Sequence, residues 1–148
     1  MNDNSYYVYI IKGEKNNKTK FYIGCTNDLT RRLKQHNRIL HGGAKATSGG
    51  YTWKYMGLLS NIPNNISALQ IEWRLKHSTK KTNIISRIEA FLEYLEQNNK
   101  PSPNAEIFDY KILFSLNQEL YNKINKKDEW SNIIIIEEND FSSICQLK

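Results

Sequence analysis

The segment Tyr7-Val8-Tyr9, together with Tyr22-Ile23-Gly24 further along the chain, decides the fold that this sequence predicts. Each triplet lies in a short run rich in β-branched and aromatic residues, which is typical of strands. The polar residues 14–18 lie between the two runs and predict a hairpin loop. We therefore expect an antiparallel pair of strands that brings Tyr9 and Tyr22 to one end of a small sheet.

A helix should follow directly after the second strand. Asn27 or Asp28 is placed to cap it, because a short polar side chain accepts hydrogen bonds from the first free N–H groups. Periodic leucines predict that the helix runs to about Leu40. Arg32 lies at the edge of this apolar stripe, and His36 lies inside it one turn later. Each residue has an ordinary structural explanation, but directly after two tyrosine strands the pair indicates a site.

Residues 41–50 form a loop of small residues that carries one lysine, Lys45. The loop lacks the Gly-Lys-Ser/Thr end of a P-loop, although its small residues permit close backbone approach to a phosphate. A solvent-exposed connection without further role explains it equally well. Residues 51–59 then predict a third strand with Trp53 and Tyr55 on one face.

Glu72 lies on the next predicted helix, for which Ser67 and Gln70 have the spacing of a capping box. A helical projection places Glu72 within an arc of apolar residues, which are Ala68, Leu69 and Leu75. A carboxylate in apolar surroundings costs several kcal/mol unless it is paired or binds a cation. Two interpretations follow, a buried ion pair with Arg32 or a lysine and a metal ligand, and both can hold at different moments.

Residues 82–148 predict further elements but no second catalytic cluster. Apolar residues at helical spacing predict an amphipathic helix over about 83–97, and the prolines within 98–104 end it. A strand at 110–114, a helix at about 115–125 and a buried strand at 133–136 follow. We predict an α+β fold with a small antiparallel sheet flanked by helices. Residues 1–81 would form the functional domain and residues 82–148 an acidic extension packed on it.

Basic residues are concentrated in the first half of the chain. Residues 1–81 hold 14 Lys and Arg against 4 Asp and Glu, whereas residues 82–148 hold 7 against 11. This asymmetry predicts that a polyanion binds to the first half, although lysine-rich surfaces also occur without such a partner.

The cysteines and the chain start indicate the cellular setting. Cys25 and Cys145 lack the paired spacing of a zinc ligand set and predict reduced thiols in an intracellular protein. The first residues have neither a basic start nor an apolar core, and no stretch reaches the roughly 18 apolar residues of a membrane span. We therefore expect a soluble protein with no membrane partner.

The ordered set Tyr7-Val8-Tyr9, Tyr22-Ile23-Gly24, Arg32, His36 and Glu72 resembles the GIY-YIG nuclease family over about residues 6–80. The second triplet matches the family motif unchanged, whereas Tyr7 stands where the first motif has glycine. Segments 31–37, 42–45 and 68–73 most resemble the Slx branch, whose members are catalytic subunits of endonucleases that cut branched DNA such as flaps and Holliday junctions. Eukaryotic members carry a cysteine-rich zinc domain that two cysteines cannot build. We therefore expect a free-standing or viral/mobile form of the nuclease module, without zinc.

The resemblance implies a metal-dependent DNA endonuclease with the catalytic residues Tyr9, Tyr22, Arg32, His36 and Glu72. Glu72 would bind a single Mg²⁺ or Mn²⁺. Arg32 would contact phosphate oxygens as negative charge grows on them. Either Tyr9 or Tyr22 would act as the general base, and His36 would relay the proton or position the phosphate.

Further polar residues in the basic half are expected to contact DNA. They are Lys12, Arg31, Lys34, Asn37, Lys45 and Lys54. Two other functions share this scaffold: a DNA-binding module that has lost catalysis, and a site-specific homing or restriction nuclease. The complete catalytic set argues against the first, and the acidic C-terminal half is a poor sequence-reading domain for the second. A scaffold or partner protein is compatible with all three.

Overall fold

The computed structural model describes residues 5–125 and 129–142, so the prediction for Cys145 lies outside the described residues. The described residues form five strands: β1 (Tyr6–Lys15), β2 (Lys18–Thr26), β3 (Thr52–Ile62), β4 (Ile112–Leu116) and β5 (Ile133–Glu137). The helices are α1 (Leu29–His36), α2 (Asn65–His77), α3 (Ile84–Asn98) and α4 (Gln118–Lys123), with a 3₁₀ turn at Lys45–Thr47. No helix in the described ranges is long and apolar enough to cross a membrane.

All five strands form one sheet in the order β2-β1-β3-β4-β5. The first four strands pair antiparallel, whereas β5 runs parallel to β4. The parallel pair is possible because the segment containing α4 carries the chain back along the sheet before β5 begins. The predicted α+β class is confirmed, and the sheet is mixed rather than wholly antiparallel.

β1 and β2 extend further than their apolar runs predicted. Both strands continue through the polar residues, and only Asn16 and Asn17 form the turn between them. Their φ angles of 49° and 67° lie in the left-handed region, which asparagine tolerates and a two-residue hairpin turn requires. The predicted loop over 14–18 is therefore wrong, because cross-strand pairing outweighs the polar composition of this segment.

Each face of the sheet carries its own apolar cluster. α2 and α3 pack on one face, where Ile10, Ile71 and Phe91 are fully buried. α1 packs on the other face, where Tyr9 and Leu29 belong to a second cluster. β1 lies between the two apolar layers, and its side chains alternate between them. Burial of apolar surface on both sides of the sheet stabilises this position.

The described part of residues 82–148 belongs to the same sheet and core. Phe91 and Leu95 of α3 are fully buried, and β4 is hydrogen-bonded to β3. Asn132, at the start of β5, donates from its side chain to the Leu95 carbonyl at 2.9 Å and to the Asn99 side chain at 2.8 Å. These bonds fasten β5 to the end of α3.

α1 is shorter than predicted. Asp28 caps its start, as expected, by accepting a hydrogen bond from the Arg31 N–H. The helix ends at His36, because Arg38 takes a left-handed φ of 63°. Leu40, which the leucine spacing placed in the helix, lies beyond it and is 43% exposed.

α2 begins with a different cap from the predicted one. The Asn64 side chain accepts a hydrogen bond from the Ser67 N–H at 2.8 Å. Ser67 is therefore the third residue of the helix rather than its cap, and the predicted capping box of Ser67 and Gln70 is wrong.

A chain that ends at Lys81 should fail to fold cooperatively, although it keeps every predicted catalytic residue. It lacks α3, which helps to bury Ile71 of α2, and β4, which pairs with β3. Each Å² of apolar surface that stays exposed would lower the stabilisation of the fold by roughly 25 cal/mol. Urea and thermal unfolding by circular dichroism, with the whole chain as control, measure this. A cooperative transition near that of the whole chain would instead establish residues 1–81 as a domain, a division that stays a prediction.

Candidate active site

An open cleft of about 570 Å³ lies along β2, the strand at one edge of the sheet. Side chains enter it from β1 and β2, from α1 on one face of the sheet and from α2 on the other. The lining residues are Tyr6, Tyr9, Tyr22, Gly24, Cys25, Thr26, Asn27, Arg32, Asn65, Leu69 and Glu72. The cleft thus brings together four predicted catalytic residues, and the fifth, His36, is hydrogen-bonded to Tyr9.

Gly24 leaves room for the Tyr9 side chain to lie over the neighbouring strand, β2. The two residues are directly opposite in the β1–β2 pair. A Cβ atom on residue 24 would overlap the ring and hydroxyl of Tyr9. The glycine therefore has a steric role, because only a residue without a side chain lets the Tyr9 ring lie over β2.

Tyr9, His36 and Thr47 form a buried hydrogen-bond chain. Tyr9 Oη lies 2.7 Å from His36 Nε2, and His36 Nδ1 lies 2.9 Å from Thr47 Oγ1. The Thr47 hydroxyl donates its single proton to the Ala44 carbonyl at 2.8 Å, so it accepts a proton from Nδ1. Nε2 is then unprotonated and accepts from Tyr9. His36 is therefore a neutral proton acceptor aimed at the Tyr9 hydroxyl.

Burial controls the charge state of this chain. Burial, together with smaller effects of the Arg32 and Arg38 cations, lowers the pKa of His36 to about 4. Burial also raises the pKa of Tyr9 well above its usual value, against the opposing effect of Arg32. At neutral pH both groups are uncharged, and one proton is held between them.

Arg32 is fixed beside the Tyr9 hydroxyl. Its Nε donates to Tyr9 Oη at 3.1 Å, and Nη1 donates to Gln35 Oε1 and to the Gly42 carbonyl, each at 2.9 Å. Burial acts to lower the pKa of Arg32, but the hydrogen bond to Tyr9 and the nearby Tyr22 raise it overall. A fixed, permanently charged guanidinium in this position is suited to bind phosphate oxygens.

Glu72 enters the cleft from α2 and is paired with a lysine. Lys76 Nζ donates to Glu72 Oε2 at 2.6 Å, and the Glu72 side chain is 17% exposed. Leu69 and Trp73 on the same helix are about half exposed, at 51% and 53%. Ala68 and Leu75 of the predicted apolar arc around Glu72 are buried, whereas its third member, Leu69, lines the open cleft. The predicted alternative of an ion pair with a lysine is present.

The donor set at Glu72 fits a hard divalent cation. Within residues 5–125 and 129–142, no group of three or more His, Cys, Asp and Glu could hold a metal by itself. Mg²⁺ is typically bound by one or two carboxylates and completes its shell with water and phosphate oxygens, for which the open cleft has room. Burial, with a smaller effect of Glu72, raises the pKa of the Cys25 thiol to about 11, so this neighbour stays protonated.

The predicted DNA-contacting residues lie outside the cleft lining. Lys12 Nζ is 3.1 Å from Glu119 Oε1 of α4, and the Asn37 side chain is bonded to the Trp53 backbone N–H and carbonyl at 2.7 and 3.0 Å. The other four side chains are exposed; they are Arg31, Lys34, Lys45 and Lys54. Their contact with DNA stays a prediction.

Two residues of the site were missed by sequence reasoning. Thr47 anchors His36, but one threonine in a loop of small residues carries no signal of that role. Lys76 pairs with Glu72, and here a signal was available, because residues four apart on a helix face each other.

A row of lysines on the β1–β2 hairpin was also missed. Cross-strand pairing places Lys18 opposite Lys15 and Lys20 opposite Gly13. Lys15, Lys18 and Lys20 therefore lie on the same face of the sheet as Tyr22. Lys20 and Lys18 are two and four residues away from Tyr22 along β2. Lys20 Nζ is 4.4 Å from the centre of the Tyr51 ring. Alternation in β2 could have indicated this arrangement.

Together, the two tyrosines, the fixed arginine, the buried histidine and the single carboxylate define a nuclease catalytic domain. The chain matches the model of the GIY-YIG catalytic domain over residues 5–85, which is more than half of its 148 residues. It therefore belongs to the GIY-YIG family of nucleases, whose members generally use divalent metal ions. All five site residues lie within the matched range.

Curated relatives match between about half and three quarters of the chain. It is 37% identical over 116 residues to a "Structure-specific endonuclease subunit SLX1 homolog" of Drosophila ananassae, covering 75% of this chain and 36% of the relative. It is 41% identical over 71 residues to "Structure-specific endonuclease subunit slx1" of Schizosaccharomyces pombe, covering 47% of this chain and 26% of the relative. The matched region thus spans about a third or less of these relatives.

Acid should destabilise the fold through His36. Because its folded pKa of about 4 lies below the usual 6.5, its contribution to stability is present above pH 6.5 and is lost as pH falls toward 4. Between pH 7.5 and 4.5 this group should lower the free energy of unfolding by about 2 kcal/mol. Urea denaturation of the wild type and of His36→Gln isolates the effect, since the variant lacks the titrating group. Equal pH dependence in both proteins would contradict the assignment.

Proposed function

We propose that this chain is the catalytic module of a metal-dependent endonuclease that hydrolyses phosphodiester bonds in branched DNA. The observation that carries the proposal is the hydrogen-bonded unit of Arg32, Tyr9 and His36 in the same cleft as Glu72. A module that only binds DNA would have no use for a neutral histidine buried behind a tyrosine hydroxyl.

Tyr9 is the proposed proton carrier of the hydrolysis. Its oxygen would accept a proton from the attacking water as its own proton moves to His36 Nε2, 2.7 Å away. The water oxygen then forms a bond to phosphorus as the bond to the 3′ oxygen breaks, and the departing 3′ oxygen takes a proton from solvent in the open cleft. Tyr22, which lines the cleft with its ring 6.4 Å from that of Tyr9, is proposed to position the phosphate.

Arg32 and Glu72 supply the charges that this reaction needs. The Arg32 guanidinium would bind the non-bridging oxygens as negative charge grows on them. Glu72 would hold a single Mg²⁺ or Mn²⁺, which supplies positive charge that polarises the phosphate. Lys76 would give up its ion pair with Glu72 when the metal binds, and the charge of the cation would replace that of the lysine at the carboxylate.

The preference for branched DNA is supported by three observations. The curated relatives carry the name of subunits of structure-specific endonucleases. Within the described residues, the basic surface combines hairpin lysines, a loop and the short helix α1, whose eight residues are fewer than a base-reading recognition helix usually presents to a groove. The cleft is open at a sheet edge, where a bent or unstacked strand enters more readily than a straight duplex.

The substitution Glu72→Gln should abolish Mg²⁺-dependent cleavage while DNA binding and the fold persist. It removes the charged metal ligand and keeps the side-chain volume. Glu14→Gln, which removes one negative charge from an exposed position on β1, is the matched control. Cleavage of an end-labelled flap across a Mg²⁺ titration checks the result. Wild-type rates for Glu72→Gln would disprove the metal role.

The substitution Arg32→Ala should lower the single-turnover cleavage rate by roughly three orders of magnitude, the scale for losing a transition-state arginine in phosphoryl transfer. Arg31→Ala removes the same charge from the adjacent, exposed position and should affect binding alone. Rates at saturating protein separate the two effects, because a pure binding defect disappears there. Equal rates for both variants would refute the proposed role.

The protein should cut flaps, forks and four-way junctions faster than linear duplex, independently of sequence. Contacts would go mainly to phosphates, so binding should weaken with salt by about 0.9 logarithmic units per decade for each phosphate neutralised. A panel of end-labelled substrates of two unrelated sequences, each competed with excess duplex, tests both statements. Equal cutting of plain duplex would reject the structural preference, and cutting tied to one sequence would indicate a site-specific enzyme.

A further inference from the structure

A row of apolar side chains is exposed on α2 beside the cleft. Ile66, Leu69 and Trp73 are 69%, 51% and 53% exposed, and their spacing of three and four residues places them on one side of the helix. Leu69 also lines the cleft, so the row is continuous with the candidate active site. Large apolar side chains exposed in a contiguous row mark a binding surface.

Trp73 is held in a preformed aromatic stack. The ring of His77 lies on it with 4.4 Å between ring centres and 27° between ring planes. His77 Nδ1 lies 2.9 Å from the Trp73 carbonyl oxygen, and a hydrogen bond there fixes the histidine ring one turn further along the helix. Both residues are exposed. The helix therefore presents a rigid aromatic surface that is ordered before any ligand binds.

The charges around this stack favour a polyanion. Glu72 is the only acidic residue of α2, and its carboxylate is in the cleft, bonded to Lys76. Arg74 Cζ lies 5.1 Å from the centre of the Trp73 ring. Aromatic rings among cations are the surfaces on which single-stranded nucleic acids bind, with bases stacked on the rings and phosphates near the charges.

We propose that Trp73 stacks an unpaired base of the DNA substrate next to the cleft, with Leu69 covering its edge. This inference rests on the proposed function as a nuclease of branched DNA. Trp73 follows Glu72 directly in the chain and lies one turn from Leu69, so a base on Trp73 is adjacent to the strand that occupies the cleft. A continuous duplex offers no free base face, whereas a flap or fork does. Trp73 is thereby a specificity-determining residue.

The experiment measures equilibrium binding without metal or cleavage. Fluorescence anisotropy with EDTA compares a flap substrate and a linear duplex for wild type, Trp73→Phe, Trp73→Ala and the control Ile134→Ala, which removes an exposed apolar side chain from β5 at the opposite sheet edge. Trp73→Ala should weaken flap binding about tenfold and change duplex binding less than twofold. Trp73→Phe should retain most of the flap affinity, and Ile134→Ala should match the wild type.

Abasic substrates separate stacking from other effects. Flaps without bases at the unpaired positions nearest the branch keep their phosphates but offer nothing to stack. Wild-type affinity for them should fall to that of Trp73→Ala, and the variant should show no further loss. The two losses adding together would overturn the proposal, because independent contacts would then be responsible.

Tryptophan fluorescence reports the same contact directly. Trp73 is exposed, whereas Trp53 and Trp130 are 2% and 8% exposed, so quenching by single-stranded DNA should disappear in Trp73→Phe. Unchanged flap binding by Trp73→Ala would overturn the inference and leave this row as a surface for a protein partner. Equal loss on flap and duplex would also overturn it. Absence of cleavage by the wild type would refute the proposed function but not these binding results.

Discussion

The hydroxyl of Tyr9 is the point on which the arrangement of the site depends. It accepts a hydrogen bond from Arg32 Nε and donates one to His36 Nε2, in a buried position. Three separate features must agree for this to happen. The β1–β2 register places Tyr9 opposite Gly24, the helical spacing of α1 sets Arg32 and His36 one turn apart, and Thr47 orients the histidine ring. A register slip of one residue would turn Tyr9 to the opposite face of the sheet.

Local satisfaction of polar groups explains why the buried network is tolerable. A chain of hydrogen bonds runs from Arg32 through Tyr9, His36 and Thr47 to the Ala44 carbonyl, and each buried donor and acceptor along it has a partner. A fully satisfied network of this kind stiffens the site instead of weakening the core. The Glu72 and Lys76 pair follows a different principle. It is partly exposed and therefore weak, so it protects the carboxylate without competing strongly with a cation. The hydrogen-bonded network on the α1 side of the cleft is thus fixed, whereas the lysine partner of Glu72 on the α2 side can be exchanged for a cation.

The strands and the site were predictable from sequence because they depend on local patterns. Alternating aromatic residues indicate β1 and β2, and the ordered Tyr, Arg, His and Glu positions match a family whose model covers residues 5–85. Boundaries that tertiary contacts decide were not predictable. α1 ends early where Arg38 takes a left-handed φ, and the Asn37 side chain beside it binds the Trp53 backbone across the fold. Leu69, which the helical projection placed in an apolar arc, is about half exposed, and α2 buries Ala68, Ile71 and Leu75.

The sheet order also bears on when the cleft forms during synthesis. All five site residues belong to the first 72 residues, but β3 pairs on one side with β4, which in turn pairs with β5 near residue 135. Contacts between distant parts of a chain form slowly, because loop closure precedes the stabilisation they bring. Because synthesis proceeds from the N-terminus, the ribosome also releases the catalytic segment well before the strands that complete its sheet. Until then the edge of β3 that pairs with β4 is open, and we expect a chaperone to be needed most during that interval.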